Sequence, residues 1–369
     1  MNYYRYLTLV NFVKRAFMKL GASEELALEA ACILLEANVC GIESHGLWRL
    51  SDYVRLWEAK RCNLGASLEV IRERKAVAVV DAHKNLGLMS APFAMRLAMQ
   101  KARDVGCAWV GVRNSNHFGI AGYHASIALK ANMIGIAMTN ASPLVAPTYG
   151  KERLLGTNPI AIAIPSNEYA PFVIDMSTTV AANGKIERLR QNNIAVPQGW
   201  MQNKAGNPTQ DPTAMQQGGA LLPLGGDQLH ASYKGYCLSA WIDIFSGILS
   251  GACYGPWVPP FVQYLKPQYT KNIGQGIGHM FCAIDINAFR PLKAFKKHMS
   301  QWIKRFQNSE PIHPKQNVLV PGQKEYQCKQ QRLKKGIPID QATQTRLRTI
   351  AEQLNLNPPK PKQNKAKQK

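Results

Sequence analysis

Acidic residues are scarce in this sequence, and closely paired cysteines are absent. Only 23 Asp and Glu stand against 45 Lys and Arg, which gives a formal net charge of +22. That charge favours anionic partners such as carboxylates, phosphates, nucleic acid or a membrane surface. The eight cysteines form no C-x-x-C pair, so the sequence indicates neither a zinc site nor a disulfide framework. We expect free thiols and no bound metal.

A hydrophobic run long enough to cross a membrane is also missing. The longest apolar stretch, residues 241–249, is interrupted by Asp243 and Ser246 and is far shorter than the roughly 20 residues of a membrane span. The first residues contain no apolar segment with a small-residue cleavage site, so no secretory signal is predicted. We therefore expect a soluble, cytoplasmic protein with no membrane partner.

Common phosphate-binding and hydrolase motifs do not occur. No G-x-G-x-x-G follows a predicted strand, and the Walker loop, the zinc-protease motif and the lipase motif are missing. A polar segment, residues 184–217, reads as a surface excursion outside the core. The residues after Lys324 are rich in Lys and Arg, and we expect 356–369 to be a disordered basic tail. No interleaved aromatic residues or nucleic-acid reader motif accompany it.

The N-terminal region predicts two helices and then a polar motif. Apolar spacing predicts a helix from 3 to 20 and a second from Ser23 to about residue 39. A third helix is predicted after Ser44 as N-cap, with His45, Arg49 and Tyr53 at i, i+4 and i+8 on one face. Such a face could bind a carboxylate and handle a nearby proton. The alternative is an ordinary exposed helix face.

A histidine-containing turn follows a predicted buried strand. The strand is an apolar run at 107–112, and the turn is R-N-S-N-H-F-G-I-A-G, with His117 at its centre. Polar residues at the carboxyl end of a strand lie where open α/β sheets collect ligands, which suits a proton-transferring imidazole. The alternative is a core or turn histidine that bonds to a backbone carbonyl.

Two further segments could contact an anionic ligand. Asp175 closes a predicted strand and hydroxyl residues follow it at 177–179, which could present donors at a helix start; simple N-capping is the alternative. Lys234 and Gly235 stand at a helix entry and could contact a phosphate, or the lysine could be a solvated charge. Residues 321–325 predict a turn before a last helix at about 340–354.

These segments together resemble the malate/L-lactate dehydrogenase family, which is distinct from the ordinary lactate and malate dehydrogenases. Its relatives include 2,3-diketo-L-gulonate reductase, ureidoglycolate dehydrogenase, sulfolactate dehydrogenase and piperideine-2-carboxylate reductase. The matching runs, in chain order, are S-H-G at 44–46, S-N-H-F-G at 115–119, G-T-N-P at 156–159, I-D-M-S at 174–177, G-K at 184–185, L-L-P-L-G-G at 221–226, and K-G-Y with D-I-F-S-G-I-L-S-G-A at 234–252.

The resemblance implies an α/β (α+β) chain with a non-Rossmann nicotinamide-binding fold. This fold has a mixed central sheet and a smaller helical domain built from the chain ends. We expect an N-terminal helical part at 1–75, a cofactor-binding sheet domain at 76–325, and a C-terminal helix at 326–355 that packs back on the N-terminal part. The resemblance also implies a homodimer with its active site in a cleft, and it accounts for the missing glycine fingerprint.

The resemblance also implies an NAD- or NADP-dependent oxidoreductase that interconverts a 2-hydroxy acid and a 2-oxo acid by hydride transfer. By position, His117 and His45 match the acid/base residues, and Arg49 and Tyr53 match substrate-binding positions. The positions that match cofactor contacts are Ile174, Asp175, Met176, Ser177, Thr178, Thr179, Val180, Tyr233, Lys234, Gly322, Gln323 and Lys324. The sequence leaves open which histidine donates the proton; we favour His117, with His45 as its substrate-side partner.

Several residues depart from the family pattern. Asn38, Cys40 and Glu43 precede S-H-G in place of the more usual acidic and basic groups, and Cys237 stands where relatives usually carry glycine. These departures bear on the identity of the substrate more than on the fold. An alternative function is that of a catalytically silent relative that binds nucleic acid or an acidic partner through its basic surface. The intact His45, Arg49 and His117 argue against it.

Overall fold

The structure is a computed structural model that describes residues 1–266 and 273–362. Its first compact unit comprises Met1–Ala66 with the segment from Trp302 onward, and its second comprises Ser67–Gln301. The boundaries thus fall at 66/67 and 301/302, where the sequence suggested 75/76 and 325/326. Of the expected basic tail, 356–362 has no regular secondary structure, and 363–369 lies outside the described residues.

The described helices and strands follow the sequence pattern for most of the chain. The helices are α1 Tyr6–Lys19, α2 Glu24–Val39, α3 Leu50–Glu58, α4 Gly87–Val105, α5 Ala121–Ser126, α6 Asn183–Gln191, α7 Ser232–Asp243, α8 Leu292–Gln307, α9 Gln323–Lys335 and α10 Gln341–Gln353. The strands are β1 Asn2–Tyr4, β2 Glu69–Glu73, β3 Val77–Asp81, β4 Cys107–Ser115, β5 Ile134–Thr139, β6 Ile160–Ile164, β7 Phe172–Met176, β8 Met201–Gln202, β9 Ala220–Leu221, β10 Ile277–Ile284 and β11 Ile337–Ile339.

In the first unit, α1 and α2 form where predicted and bury most of their apolar residues, but Leu7 and Leu28 are exposed. Phe17 and Leu34 are fully buried, and burial of each such side chain contributes roughly 1.5–3 kcal/mol. Ser23 caps α2 by accepting a hydrogen bond from Leu26 N at 3.4 Å. The strand β1 pairs antiparallel with β11.

The prediction for residues 321–340 is incomplete. A turn alone was expected after Pro321, but α9 begins at Gln323 and β11 follows it. The helix α9 has no buried residue. A helix that buries no apolar face needs no apolar residues at helical spacing, so the sequence pattern gave no signal for it. The strand β11 is only three residues long and depends on its distant partner β1.

The second unit is built on a mixed sheet with the order β2-β3-β4-β10-β5-β6-β7, which confirms the predicted mixed central sheet. Only the β3–β4 pair is parallel, and the other neighbours are antiparallel. It follows that β3, β4, β5 and β7 run in one direction. Their carboxyl ends therefore lie along one edge of the sheet, which we call the carboxyl edge.

Both faces of this sheet are covered. On one face, Val110, Phe281 and Ala283 pack with apolar residues of α4 and α5. On the other, Met138 and Met280 pack with Ile242 of α7. Because side chains alternate along a strand, β10 supplies Phe281 to the first face and Met280 to the second.

The expectation that 184–217 is only a surface excursion is wrong. The segment contains α6, β8 and a short 3-10 helix. Its residues Ile186, Val196 and Met201 are buried and pack with Leu144 and Leu221 in a small core of their own. These apolar residues are spaced too widely among polar ones to show a periodic pattern, which is why the sequence did not reveal them.

Candidate functional site

The turn that carries His45 is not the predicted helix. Residues Glu43–His45 and Leu47–Arg49 form short 3-10 helices, and α3 begins only at Leu50. The interruption falls at Gly46, where an added Cβ would collide with Asn38 Oδ1, and Asn38 Oδ1 accepts from Leu47 N at 2.7 Å. His45 therefore does not share a helix face with Arg49 and Tyr53.

Ser44 is not an N-cap, but it does contact the histidine. Its hydroxyl lies 3.0 Å from Nδ1 of His45. Burial, and then the nearby Arg49 cation, lower the pKa of His45 to about 4. The imidazole is therefore neutral at pH 7 and can act as a hydrogen-bond donor or acceptor without a net charge.

Arg49 connects the residues that the sequence placed on one face. Its Nε donates to Ser44 O at 2.7 Å, and its Nη1 lies 3.2 Å from the Asp52 carboxylate. Burial raises the pKa of the Tyr53 phenol, and Arg49 acts in the opposite direction. The phenol therefore stays protonated, with its ring edge against Phe17 in the core. Arg49 therefore lies near both His45 and Tyr53, although the three residues do not share one helix face as predicted.

Asn38, Cys40 and Glu43, which depart from the family pattern, contact other residues of the first unit. Asn38 is buried, and its backbone carbonyl accepts a hydrogen bond from Arg332 Nη1 of α9. The same Arg332 pairs with Glu43 at 2.6 Å. Burial, and then the Glu36 carboxylate, raise the pKa of the Cys40 thiol, which donates to that carboxylate. Arg332 and Asn38 therefore brace the polypeptide on both sides of the S-H-G turn.

In the second unit, the His117 turn is anchored at the carboxyl edge. The strand β4 continues to Ser115, so the turn starts later than expected, and Asn114 adopts a left-handed conformation (φ 54°). Asp81, which ends β3, accepts from Asn114 Nδ2 at 2.8 Å and from Arg113 Nε at 3.0 Å. Burial opposes ionisation of Asp81, but hydrogen bonds from these donors and from His83 N lower its pKa.

The loop after β3 supports the same turn. His83 and Lys84 are both left-handed (φ 46° and 66°), an unfavourable conformation that persists only where the surroundings enforce it. Asn116 Nδ2 donates to Lys84 O at 3.0 Å. An added Cβ at Gly87 would collide with the Asn116 carbonyl, so this loop approaches the turn as closely as backbones can.

The His117 ring is held by a stacking contact. It is half-buried and lies parallel to the Phe261 ring, with centroids 4.1 Å apart and an interplanar angle of 11°. Gly119 N donates to His117 Nδ1 at 3.4 Å, which places Nε2 on the opposite side of the ring. Phe261 N in turn donates to Ser142 Oγ at 2.8 Å.

The I-D-M-S-T-T-V segment reaches the same edge at the end of β7. Asp175 is exposed and accepts from Gly122 N at 2.9 Å, next to the start of α5. No helix starts at the hydroxyl residues, because α6 begins at Asn183. The Thr178 hydroxyl donates to the Asn158 carbonyl, and the Thr179 hydroxyl donates to the Ala181 carbonyl. Both the helix-start and the N-cap interpretations are therefore wrong.

Tyr233 and Lys234 lie in the exposed first turn of α7, as predicted for a helix entry. This turn packs on Leu224, and Leu224 N donates to Thr178 O at 2.9 Å. The structure therefore places the Y-K-G and I-D-M-S segments next to each other. The motif G-T-N-P links to the same region, because Asn158 Nδ2 donates to Ser239 O of α7 at 3.1 Å.

Gly322, Gln323 and Lys324 belong to the first unit, at the start of α9. Gly322 is left-handed (φ 82°) and precedes the helix. Gln323 Oε1 accepts from Val320 N at 3.1 Å and from Gln307 Nε2 at 2.9 Å, so this side chain stabilises the helix start. Lys324 is exposed.

The sequence did not single out two residues of the second unit, Phe261, which contacts His117, and Asp243. Phe261 stands in a proline-rich segment without strand or helix periodicity, and that segment was the only signal. Asp243 is buried; it accepts from Gly255 N at 2.8 Å and from Asn140 Nδ2 at 3.2 Å. Burial raises its pKa to about 6. Within residues 1–266 and 273–362, no group of three or more His, Cys, Asp or Glu could hold a metal ion, and no helix could cross a membrane.

Comparisons with known proteins agree with this arrangement. A model of the malate/L-lactate dehydrogenase family matches residues 5–348. The chain belongs to this family. Among its relatives, the malate dehydrogenase of Pyrococcus horikoshii is 43% identical over 350 residues, which cover 94% of each chain. The L-sulfolactate dehydrogenase of Methanocaldococcus jannaschii is 37% identical over 339 residues, 92% of this chain and 93% of that one.

Solved structures of this family share the fold. The malate dehydrogenase of Entamoeba histolytica superposes with a TM-score of 0.90 at 31% identity, covering 97% of this chain and 99% of that one. Sequence and structure therefore place the chain in the same family, whose relatives include proteins named malate dehydrogenase and sulfolactate dehydrogenase.

Proposed function

We propose that this protein is an NAD- or NADP-dependent oxidoreductase that interconverts a 2-hydroxy acid and a 2-oxo acid. The observation that carries the proposal is the His117 imidazole at the carboxyl edge, stacked on Phe261 and anchored through Asp81. Relatives named malate dehydrogenase and sulfolactate dehydrogenase act on dicarboxylate-like hydroxy acids by their names. We propose a substrate of the same class.

Arg49 is the proposed anchor for the substrate carboxylate. A guanidinium binds a carboxylate through two parallel hydrogen bonds, which fixes orientation as well as position. The contacts to Ser44 O and Asp52 hold its plane in place before the substrate arrives. The Tyr53 phenol, protonated because burial raises its pKa, is the proposed second donor to the substrate.

His117 is the proposed acid/base residue, and His45 is its substrate-side partner. A general acid works best when its pKa lies near the operating pH. The pKa of His45 is lowered to about 4 by burial and Arg49, which leaves this imidazole without a proton to give at neutral pH. His45 is therefore assigned a hydrogen bond to the substrate oxygen, and His117 delivers or removes the proton.

The second unit contains groups that fit a nicotinamide dinucleotide. The exposed Lys234 cation stands in the first turn of α7, where backbone N–H groups and the helix dipole also favour a phosphate. The exposed Asp175 carboxylate, in the adjacent segment, can accept from a ribose hydroxyl. When bound, the cofactor would supply or accept the hydride. Gly322, Gln323 and Lys324 remain proposed cofactor contacts by their match to the family.

We also propose a homodimer in the cytoplasm. The outer face of α7 and its π-helical continuation, Ile244–Ile248, carries exposed apolar side chains at helical spacing. Ile244 and Ile248 are each about half exposed (48% and 53%), and Leu249 is 62% exposed. A contiguous apolar patch of this kind on a soluble chain indicates an interface, and a symmetric dimer is the commonest assembly. The free thiols fit a reducing compartment.

A spectrophotometric screen tests the proposed function. Oxidation of NADH and of NADPH is followed at neutral pH with oxaloacetate, pyruvate and 3-sulfopyruvate, and the reverse direction with the matching 2-hydroxy acids. We expect turnover with at least one pair. In His117→Ala, kcat should fall by about 10²- to 10⁴-fold, while cofactor affinity, measured by fluorescence titration, is retained.

His298→Ala is the matched control, because His298 is an exposed histidine of α8 in the same unit. It should retain the wild-type kcat. A His117→Ala enzyme with most of its activity would contradict the acid/base assignment. No turnover with any pair, together with salt-sensitive binding to DNA, would favour the silent nucleic-acid-binding alternative.

A further inference from the structure

A buried histidine that has no role in the proposed mechanism contacts the His117 turn. His279 lies on β10, between β4 and β5, and is fully buried. Its Nε2 lies 2.8 Å from Ser115 Oγ, and its Nδ1 lies 2.7 Å from Thr139 Oγ1. Ser115 and Thr139 are the last residues of β4 and β5. One imidazole therefore ties together the ends of both strands at the carboxyl edge.

The His279 imidazole is neutral, because burial lowers its pKa to about 3. One ring nitrogen therefore carries a proton and donates, while the other accepts. The Thr139 hydroxyl lies 2.8 Å from the Asn140 and Gly278 carbonyls, and the Ser115 hydroxyl lies 2.9 Å from the Ser90 hydroxyl. Both hydroxyls therefore connect the ring to the surrounding strands and helix.

The imidazole also contacts the other side of the turn. Its ring stacks on Phe118, with centroids 4.9 Å apart and an interplanar angle of 15°. A second buried histidine, His124, lies 4.8 Å from Phe118 and donates from Nε2 to the Phe118 carbonyl at 2.7 Å. His279 therefore touches the residues on both flanks of Asn116–His117.

We propose that His279 is a positioning residue for His117. Its neutral imidazole fixes the Ser115–Phe118 segment through one hydrogen bond to Ser115 and one stacking contact with Phe118. The second hydrogen bond, to Thr139, ties this segment to the end of β5, and the His117 ring is so held where the proton is exchanged. His279 does not touch the substrate. The inference rests on the proposed function, because it concerns the same acid/base residue. A buried polar side chain in a strand that is otherwise apolar is costly unless its hydrogen bonds are satisfied, and here both are.

The test separates hydrogen bonding from packing. His279→Gln retains a donor and an acceptor, whereas His279→Phe retains an aromatic ring but leaves both hydroxyls without the imidazole. We expect His279→Phe to lower kcat by about 10- to 100-fold, since a misplacement of roughly 1 Å has that effect. The KM for the 2-oxo acid should change little. His279→Gln should restore most of the kcat. Cys282→Ala is the control, because Cys282 is buried on the same strand but faces the opposite side.

Thr139→Val provides a second route if His279→Phe does not fold. It removes the hydrogen-bonding partner of Nδ1 of His279 at nearly constant volume, and the same loss of kcat is expected. The imidazole NMR signals of His117, recorded in histidine-labelled protein without substrate, should shift in His279→Phe and Thr139→Val but not in Cys282→Ala.

The NMR readout does not depend on turnover. If the wild-type protein reduces no 2-oxo acid, the proposed function fails, while a shifted His117 signal still supports the positioning role. A wild-type kcat with unshifted His117 signals in His279→Phe would overturn the positioning role. A His279→Gln variant as impaired as His279→Phe would overturn it as well.

Discussion

The Arg49 guanidinium has a fixed position before any ligand is present. Ser44 O and the Asp52 carboxylate hold it on two sides, and it is 9% exposed. This pre-organisation reduces the entropy lost when a substrate carboxylate binds. The same contacts mean that removal of the whole side chain would disturb the S-H-G turn, so a conservative substitution is the more informative one.

We expect Arg49→Lys to raise the KM for the 2-oxo acid by about 10- to 100-fold, with a smaller change in kcat. Lysine keeps the charge but loses the planar pair of donors, and one charge-assisted hydrogen bond contributes about 1.5–3 kcal/mol. Steady-state kinetics measure this difference.

Arg55→Lys is the matched control for that substitution, because Arg55 also lies near Asp52, at 3.7 Å, and shares the helix α3 with Asp52. Its KM should stay near the wild-type value. An unchanged KM in Arg49→Lys would contradict the carboxylate role of Arg49.

At the scale of elements, the S-H-G turn shows which parts of the fold the local sequence pattern could predict and which it could not. The sequence correctly predicted that α2 begins at about Ser23, because the signal for a helix start is local: the Ser23 side chain acts on a backbone amide only three residues away. It failed at His45, because the break at Gly46 depends on Asn38, a side chain of the preceding helix. The contact of Phe261 with His117 depends on residues more than a hundred positions apart. No periodic pattern encodes such a contact.

The apolar face of α7 carries the prediction for assembly. Ile248→Glu should convert a dimer into a monomer, because a carboxylate would be desolvated at the centre of the interface. Size-exclusion chromatography with light scattering measures the mass directly. Ile194→Glu is the control, since Ile194 is equally exposed, at 53%, but lies outside this face. A protein that is monomeric before substitution, or dimeric after it, would rule out this interface.

For the whole molecule, the buried histidines predict a pH-dependent stability. Burial lowers the pKa of His124 to about 4 and that of His279 to about 3, below the ordinary value near 6.5. The unfolded chain therefore takes up protons first as the pH falls. The stabilisation is fully present above about pH 6.5 and is lost progressively as the pH falls towards about 4 for His124 and about 3 for His279, by at most about 1.4 kcal/mol per pH unit for each histidine.

Urea unfolding at pH 7, 6 and 5 measures this dependence. Asp243 acts in the opposite direction, because burial raises its pKa to about 6 and its protonation in the folded state adds stability as the pH falls below that value. The slope in the wild-type protein is therefore compared with that in His279→Gln, which should be flatter. Equal slopes in the two proteins would contradict a buried neutral His279.

The pairing of β1 with β11 imposes an order on synthesis. Asn2 lies opposite Ile339, so the backbone of β1 cannot form its hydrogen bonds until β11 has been synthesised. The whole of the second unit, Ser67–Gln301, leaves the ribosome in between and can complete its sheet beforehand. During that interval β1 is an open strand edge, the kind of surface on which other chains can add. The first unit is therefore completed only after the second unit has been synthesised.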